Sequence, residues 1–149
     1  MTSSSIESVL AGVDLFEGLS PKALASVISA GHEATWGAGA PVIEQGEEVS
    51  GWRSFSEKGV EMYVVLEGSA AAIVNGVKVG TLEPGQYFGE LSLIDGEPRS
   101  ADVVAGGGGL RTFALARWTF NQLLEEHPEV AVPMLRVLCR RLRAHERAD

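Results

Sequence analysis

Cysteine is almost absent from the chain, with Cys139 alone among 149 residues. An internal disulfide is therefore excluded, and a reducing compartment, the cytoplasm, is expected. Basic residues are also scarce: 12 Lys and Arg stand against 20 Asp and Glu, a formal charge of −8. The deficit is uneven, with −11 over residues 1–135 and +3 over residues 136–149. An acidic body is a poor partner for duplex DNA, whose phosphates need a clustered basic face. It cannot steer an anionic ligand by its overall field either, so any phosphate site must be built locally. The three histidines, His32, His127 and His145, are expected in helices or connections. They do not converge as the ligands of a metal inside a barrel must, so no metal site is expected. No nucleophile with a paired base is evident, and no enzyme is expected. No run of about 18 apolar residues exists, so no membrane partner is expected. The start, Met1-Thr2-Ser3-Ser4-Ser5, lacks the basic and apolar regions of a secretory signal.

What remains is 45 % hydrophobic and 21 % charged, the balance of one folded domain over residues 1–149. Residues 1–32 read as helices. Ile6, Val9, Leu10 and Val13 follow a spacing near 3.6. Ser20-Pro21 suits a helix start, because Ser caps well and Pro is preset for the first helical position. Gly31 suits its stop.

Residues 33–117 have a different texture, with short β-prone runs between Gly, Pro and Asn-Gly. The expected strands are Pro41–Glu44, Met62–Leu66, Ala70–Val74, Val77–Leu82, Ala101–Val104 and Leu110–Ala116. Asn75-Gly76 marks a tight hairpin, and Gly106–Gly109 is expected as another turn. The fold class is thus mainly β with flanking helices, an antiparallel jelly-roll-like β-roll. Residues 118–149 return to helix. Thr119, Phe120, Leu123 and Leu124 suit one, ending near His127-Pro128. Val130, Met134, Leu138 and Leu142 form an apolar stripe at i, i+4 spacing on the next. Pro133 predicts a kink or a late start there. The run Arg140-Arg141-Leu142-Arg143 is expected to be a solvated helix face.

One stretch, residues 85–105, carries chemistry: Gly-Gln-Tyr-Phe-Gly-Glu-Leu-Ser-Leu-Ile-Asp-Gly-Glu-Pro-Arg-Ser-Ala-Asp-Val-Val-Ala. Gly89 permits close backbone approach, and Glu90 to Ile94 is long enough for one helical turn. Unpaired N–H groups at such a turn favour an anion. Arg99 can fold back and grip a phosphate through charge-assisted bonds, and Ser100 adds a hydroxyl. Glu90 would repel a phosphate but can accept a sugar hydroxyl. Together these groups ask for a small molecule with one phosphate and a nearby ribose.

The pattern Phe-Gly-Glu-Leu-Ser-Leu-Ile-x-x-x-Pro-Arg-Ser-Ala-x-Val-x-Ala resembles the phosphate-binding cassette of the cyclic nucleotide-binding domain family. That family includes catabolite activator proteins, protein kinase A regulatory subunits and nucleotide-gated channels. The resemblance extends from about Val13 to Leu142. It implies that Arg99 pairs with the cyclic phosphate, that Gly89, Leu91 and Ser92 line the cassette turn, and that Glu90 accepts the ribose 2′-hydroxyl. It places Ser100 where base preference is set and implies cAMP, with cGMP possible in principle. Two departures stand out. An insert at 49–62 holds Trp52 and Phe55, expected to pin a long hairpin loop to the body, the alternative being that they cap the base or a partner. The chain given stops at Asp149, so the helix-turn-helix of catabolite activators, and DNA as a partner, are not expected. The expectation is a stand-alone receptor whose C-terminal helix moves on binding, with a second protein or a second copy as partner. The alternative is a ligand-independent interaction or dimerisation module of the same fold.

Overall fold

A computed structural model of the chain describes residues 3–47 and 61–148. The chain begins with α1 (Ser3–Ala11), a 3₁₀ turn (Asp14–Phe16) and α2 (Pro21–Ala30). Helix α2 starts as its sequence requires: the Ser20 hydroxyl accepts from the Ala23 N–H at 3.1 Å, with Pro21 at the first position. Strands β1 (His32–Trp36), β2 (Pro41–Ile43), β3 (Glu61–Val74), β4 (Val77–Leu82) and β5 (Tyr87–Phe88) follow. Then come α3 (Glu90–Asp95), β6 (Asp102–Ala116), α4 (Arg117–Glu126), a second 3₁₀ turn (Pro128–Val130) and α5 (Ala131–Ala148). No helix among the described residues is long and apolar enough to cross a membrane.

The six strands form one antiparallel sheet in the order β1-β6-β3-β4, with β2 also on β6 and β5 also on β3. The long strands β3 and β6 therefore carry everything else. Residues 62–66 of β3 are buried on both faces. Met62, Val64 and Leu66 face the helices with Leu10, Phe16, Val27, Phe120 and Met134. Tyr63 and Val65 face the roll interior with Ile43, Phe88, Val103 and Leu110. Alternation along one strand thus supplies both cores.

Several expectations are corrected. Met62–Leu66 and Ala70–Val74 are one strand, and so are Ala101–Val104 and Leu110–Ala116. Gly106–Gly109 is not a turn but a bulge within β6: Gly68 pairs with Leu110 and Ala70 with Ala105, so four glycines oppose Ser69. A Cβ at Gly68 would run into the Gly109 carbonyl, and a Cβ at Gly106 into the Ser69 hydroxyl. His32 lies in neither a helix nor a connection; it opens β1, a strand absent from those expected. Pro133 neither kinks nor delays α5, because it sits in the first turn, where its missing N–H is no loss. The buried stripe is Met134 and Val137 of that helix with Val130 of the preceding 3₁₀ turn, while Leu135 and Leu142 are exposed. Strict i, i+4 spacing drifts about 40° per step, so Leu142 has rotated off the face that Val130 begins. Trp52 and Phe55 lie outside the described residues.

Candidate functional site

The cassette is held at both ends by the sheet. At its start, Val65 N–H donates to the Gln86 carbonyl at 2.8 Å and Gly85 N–H to the Val65 carbonyl at 2.9 Å. Tyr87 and Phe88 then pair with Val64 and Tyr63 of β3. Gly89 turns the chain with φ +86° and caps α3. A Cβ there would stand 2.9 Å from Arg99 Nη1 and 3.1 Å from the Glu61 carbonyl oxygen, so both space and dihedral require glycine. After α3, the Arg99 backbone is clamped by the turn behind β2: its N–H donates to the Glu47 carbonyl at 3.0 Å, and its carbonyl accepts from Gly46 at 2.8 Å.

The clamp sends the Arg99 side chain inward, where the residue is only 5 % exposed. Nη1 donates to the Gly89 carbonyl at 2.9 Å, and Nη2 donates to the Glu61 carbonyl at 2.8 Å. Nε–H is buried with no acceptor among the described residues. Burial pulls the Arg99 pKa down, against the opposing influence of Tyr63, Glu47, Glu90 and Glu61. A guanidinium stays charged under that pull, so the site holds a desolvated cation with an unused donor.

Glu90 is likewise buried, at 6 % exposure. Its carboxylate forms an ion pair with Arg141 of α5, whose guanidinium lies over the Tyr87 ring, 4.9 Å from the centroid. Burial works against the charge on Arg141, but Glu90, Tyr87 and Asp14 outweigh it and leave its pKa raised. Tyr63 stacks on Phe88 at 5.2 Å and meets Trp36 edge-on at 5.3 Å. Burial and Glu61 push its hydroxyl up to about 12 despite Arg99.

All six residues nominated from sequence line one cavity of about 260 Å³: Gly89, Glu90, Leu91, Ser92, Arg99 and Ser100. Ser92 is buried, whereas Leu91 and Ser100 are exposed at the rim. Ile43, Ala72, Leu82 and Val103 form the apolar wall. Leu82, Tyr87 and Arg141 also line a neighbouring cavity of about 400 Å³ that reaches Gly12 and Asp14. An enclosed cation, a paired carboxylate and an apolar wall suit a small molecule that is anionic at one end and flat or apolar at the other.

Tyr87 and Arg141 were not nominated from sequence. The run Arg140-Arg141-Leu142-Arg143 is exposed as expected, but Arg141, its side chain 47 % exposed, stands one turn after the buried Val137 and reaches back to the buried Glu90 carboxylate. That helical phase is the signal that finds it. The carbonyls of Gly89 and Glu61 are backbone atoms and leave no trace in residue type.

A family model described as cyclic nucleotide-binding domain matches residues 34–127. A cyclic nucleotide-gated potassium channel of Mesorhizobium japonicum is 36 % identical over 124 residues, which are 83 % of this chain and 31 % of the channel. The Thermus thermophilus catabolite activator protein superposes with a TM-score of 0.75 at 30 % identity, over 89 % of this chain and 60 % of that one. The regulatory domain of Toxoplasma gondii protein kinase A with cAMP gives 0.68 at 32 % identity, over 81 % of this chain and 44 % of that one. The chain thus spans less than two thirds of each of these relatives.

Proposed function

The chain belongs to the cyclic nucleotide-binding domain family, and from that premise we propose that it is a receptor for cAMP, with cGMP the weaker ligand. The observation that carries the reading is Arg99: a buried guanidinium with an unused Nε–H, lining a cavity with the whole of the nominated set. A buried cation without an anion is costly, and a singly charged phosphate diester would compensate it. In this reading Arg99 grips the exocyclic oxygens, and Gly89, Leu91 and Ser92 shape the turn beneath them. Glu90 takes the ribose 2′-hydroxyl, and Ser100 stands at the rim where it meets the base. No reaction is assigned to the chain.

The Glu90–Arg141 pair supports coupling of the ligand to α5. The ribose hydroxyl and Arg141 share one carboxylate, so the ligand bears directly on the C-terminal helix. It shifts that helix only by the difference in its affinity for the two arrangements. Calorimetric titration with cAMP and cGMP on one preparation tests binding, stoichiometry and base preference together. Binding of neither nucleotide refutes the reading.

A second reading, a ligand-independent association module, is favoured by another face of α5. Val132, Leu135 and Leu142 are exposed, as is Cys139, and their 3-4-3 spacing is that of a two-heptad seam. Sedimentation with and without cAMP separates the two: this reading requires a dimer indifferent to nucleotide.

A further inference from the structure

We infer that His32 and Glu61 are positioning residues for the anion-gripping guanidinium. A doubly protonated His32 holds Glu61, and with it the carbonyl that braces Arg99, so that proton uptake at His32 and ligand binding at Arg99 favour one another. The inference rests on the receptor reading and adds its regulation by pH.

His32 Nε2 lies 2.6 Å from Glu61 Oε2, and Nδ1 lies 3.2 Å from the Glu33 carbonyl oxygen. Both partners are acceptors. A neutral imidazole has one N–H and can serve only one of them, whereas the imidazolium serves both. Burial alone would lower the His32 pKa, but the bonds to Glu61 and Glu33 outweigh it and leave it raised. The neighbouring charges are otherwise engaged. The Glu33 carboxylate turns to Arg111 of β6 at 3.4 Å, and Arg111 also reaches Glu67 of β3 at 3.6 Å. Tyr63 on β3 stays neutral below a pKa of about 12.

Glu61 joins this pair to the site. Its carboxylate binds His32, and its own backbone carbonyl accepts from Arg99 Nη2 at 2.8 Å. When His32 loses its proton, the Glu61 carboxylate is left uncompensated beside the same guanidinium that must attract the phosphate. The residue braced against Arg99 also loses its charged tether. The sign follows. His32 has a raised pKa in the free protein. Affinity for the anion is therefore greatest below that pKa and falls as pH rises through it. The His32 side chain is 57 % exposed, so the effect is that of a half-solvated pair, about two- to fivefold in affinity.

The test is calorimetric titration of the whole chain with cAMP from about pH 5.5 to about pH 8.5, a window in which unperturbed Asp, Glu, Tyr, Lys and Arg do not titrate. The wild type is expected to lose about two- to fivefold in affinity across it. His32→Gln should bind with a flattened profile. Glu61→Gln, which keeps the bracing carbonyl but not the charge, should also flatten it. A merely structural role would weaken binding equally at every pH. By reciprocity, cAMP should raise the His32 pKa followed by NMR on the wild type by about 0.3 to 0.7 pH units, a measurement that needs no variant to fold. A wild type that binds equally well at all pH values, a His32→Gln profile as steep as the wild type, or a His32 pKa unmoved by ligand overturns the inference and leaves the receptor standing. Absence of cAMP binding at every pH overturns both.

Discussion

Replacing Arg99 by Ala is the perturbation that separates the receptor from a look-alike fold. In the free protein the change has opposing effects. The Gly89 and Glu61 carbonyls lose their donors at 2.9 and 2.8 Å, and a charge held at 5 % exposure no longer has to be desolvated. A bond from a charged donor contributes about 1.5–3 kcal/mol and a buried unpaired acceptor costs about 1–3 kcal/mol, while relief of the desolvation penalty offsets much of both. The domain is therefore expected to stay folded, losing roughly 1–2 kcal/mol of stability. Ligand binding has no such offset. Removing one partner of a desolvated charge pair costs about 2–5 kcal/mol, or about 1.4 to 3.6 decades in Kd. Arg99→Lys keeps the charge but not the fork, and should fall between Ala and wild type. Calorimetry with cAMP gives the Kd, and a thermal melt of each free variant shows that the fold is retained. A folded Arg99→Ala protein that binds cAMP within about threefold of wild type, under roughly 0.7 kcal/mol, refutes the assignment.

Three other outcomes are expected. Gly89→Ala forces a side chain onto φ +86° and against Arg99, so it should cost about 1–2 kcal/mol in denaturant unfolding and weaken cAMP binding as well. Arg141→Ala leaves the buried Glu90 carboxylate without its cation; because Arg141 is half-exposed, the free protein should lose only about 1–2 kcal/mol, and a loss below about 0.3 kcal/mol in urea melts would show the pair to be idle. Tyr63 has a folded pKa of about 12 against an ordinary 10.0, so the native state binds its proton more tightly than the unfolded state. Its contribution is intact below the ordinary value and lost as pH rises towards about 12, which alkaline denaturation with ultraviolet detection of tyrosinate should show.

The parts legible in sequence were those where local chemistry and the final fold agree. Ser20-Pro21 starts a helix and Asn75-Gly76 turns a hairpin because capping and turn dihedrals are decided within a few residues. The cassette was legible as a unit because its residue types stand in a fixed order, and the structure brings the six nominated side chains and backbone positions to one cavity. Strand β1 was not: His-Glu-Ala-Thr-Trp has no clean apolar alternation, and its pairing with β6 across Ala114 to Leu110 supplies what its side chains do not. The glycine run reads as a turn in sequence because Gly signals irregular backbone without saying whether the chain reverses or bulges. Arg141 was hidden by its basic neighbours, and only the rotation of α5 picks it out. The brace on Arg99 is made by two carbonyls, which any residue would supply.

The unmatched glycines of β6 also separate two ends of one sheet. On one side of them the strand is tied to β3 from Glu61↔Ala116 to Gly68↔Leu110, and on the other from Ala70↔Ala105 to Ile73↔Asp102. Because the run between these zones has only Ser69 opposite it, a residue added or removed there changes slack rather than alignment. The helix-covered zone and the zone that follows the cassette can each keep their own in-and-out order of side chains. A change of length that would scramble an ordinary hairpin would leave both paired zones in register here, provided the close contacts of Gly68 and Gly106 are kept.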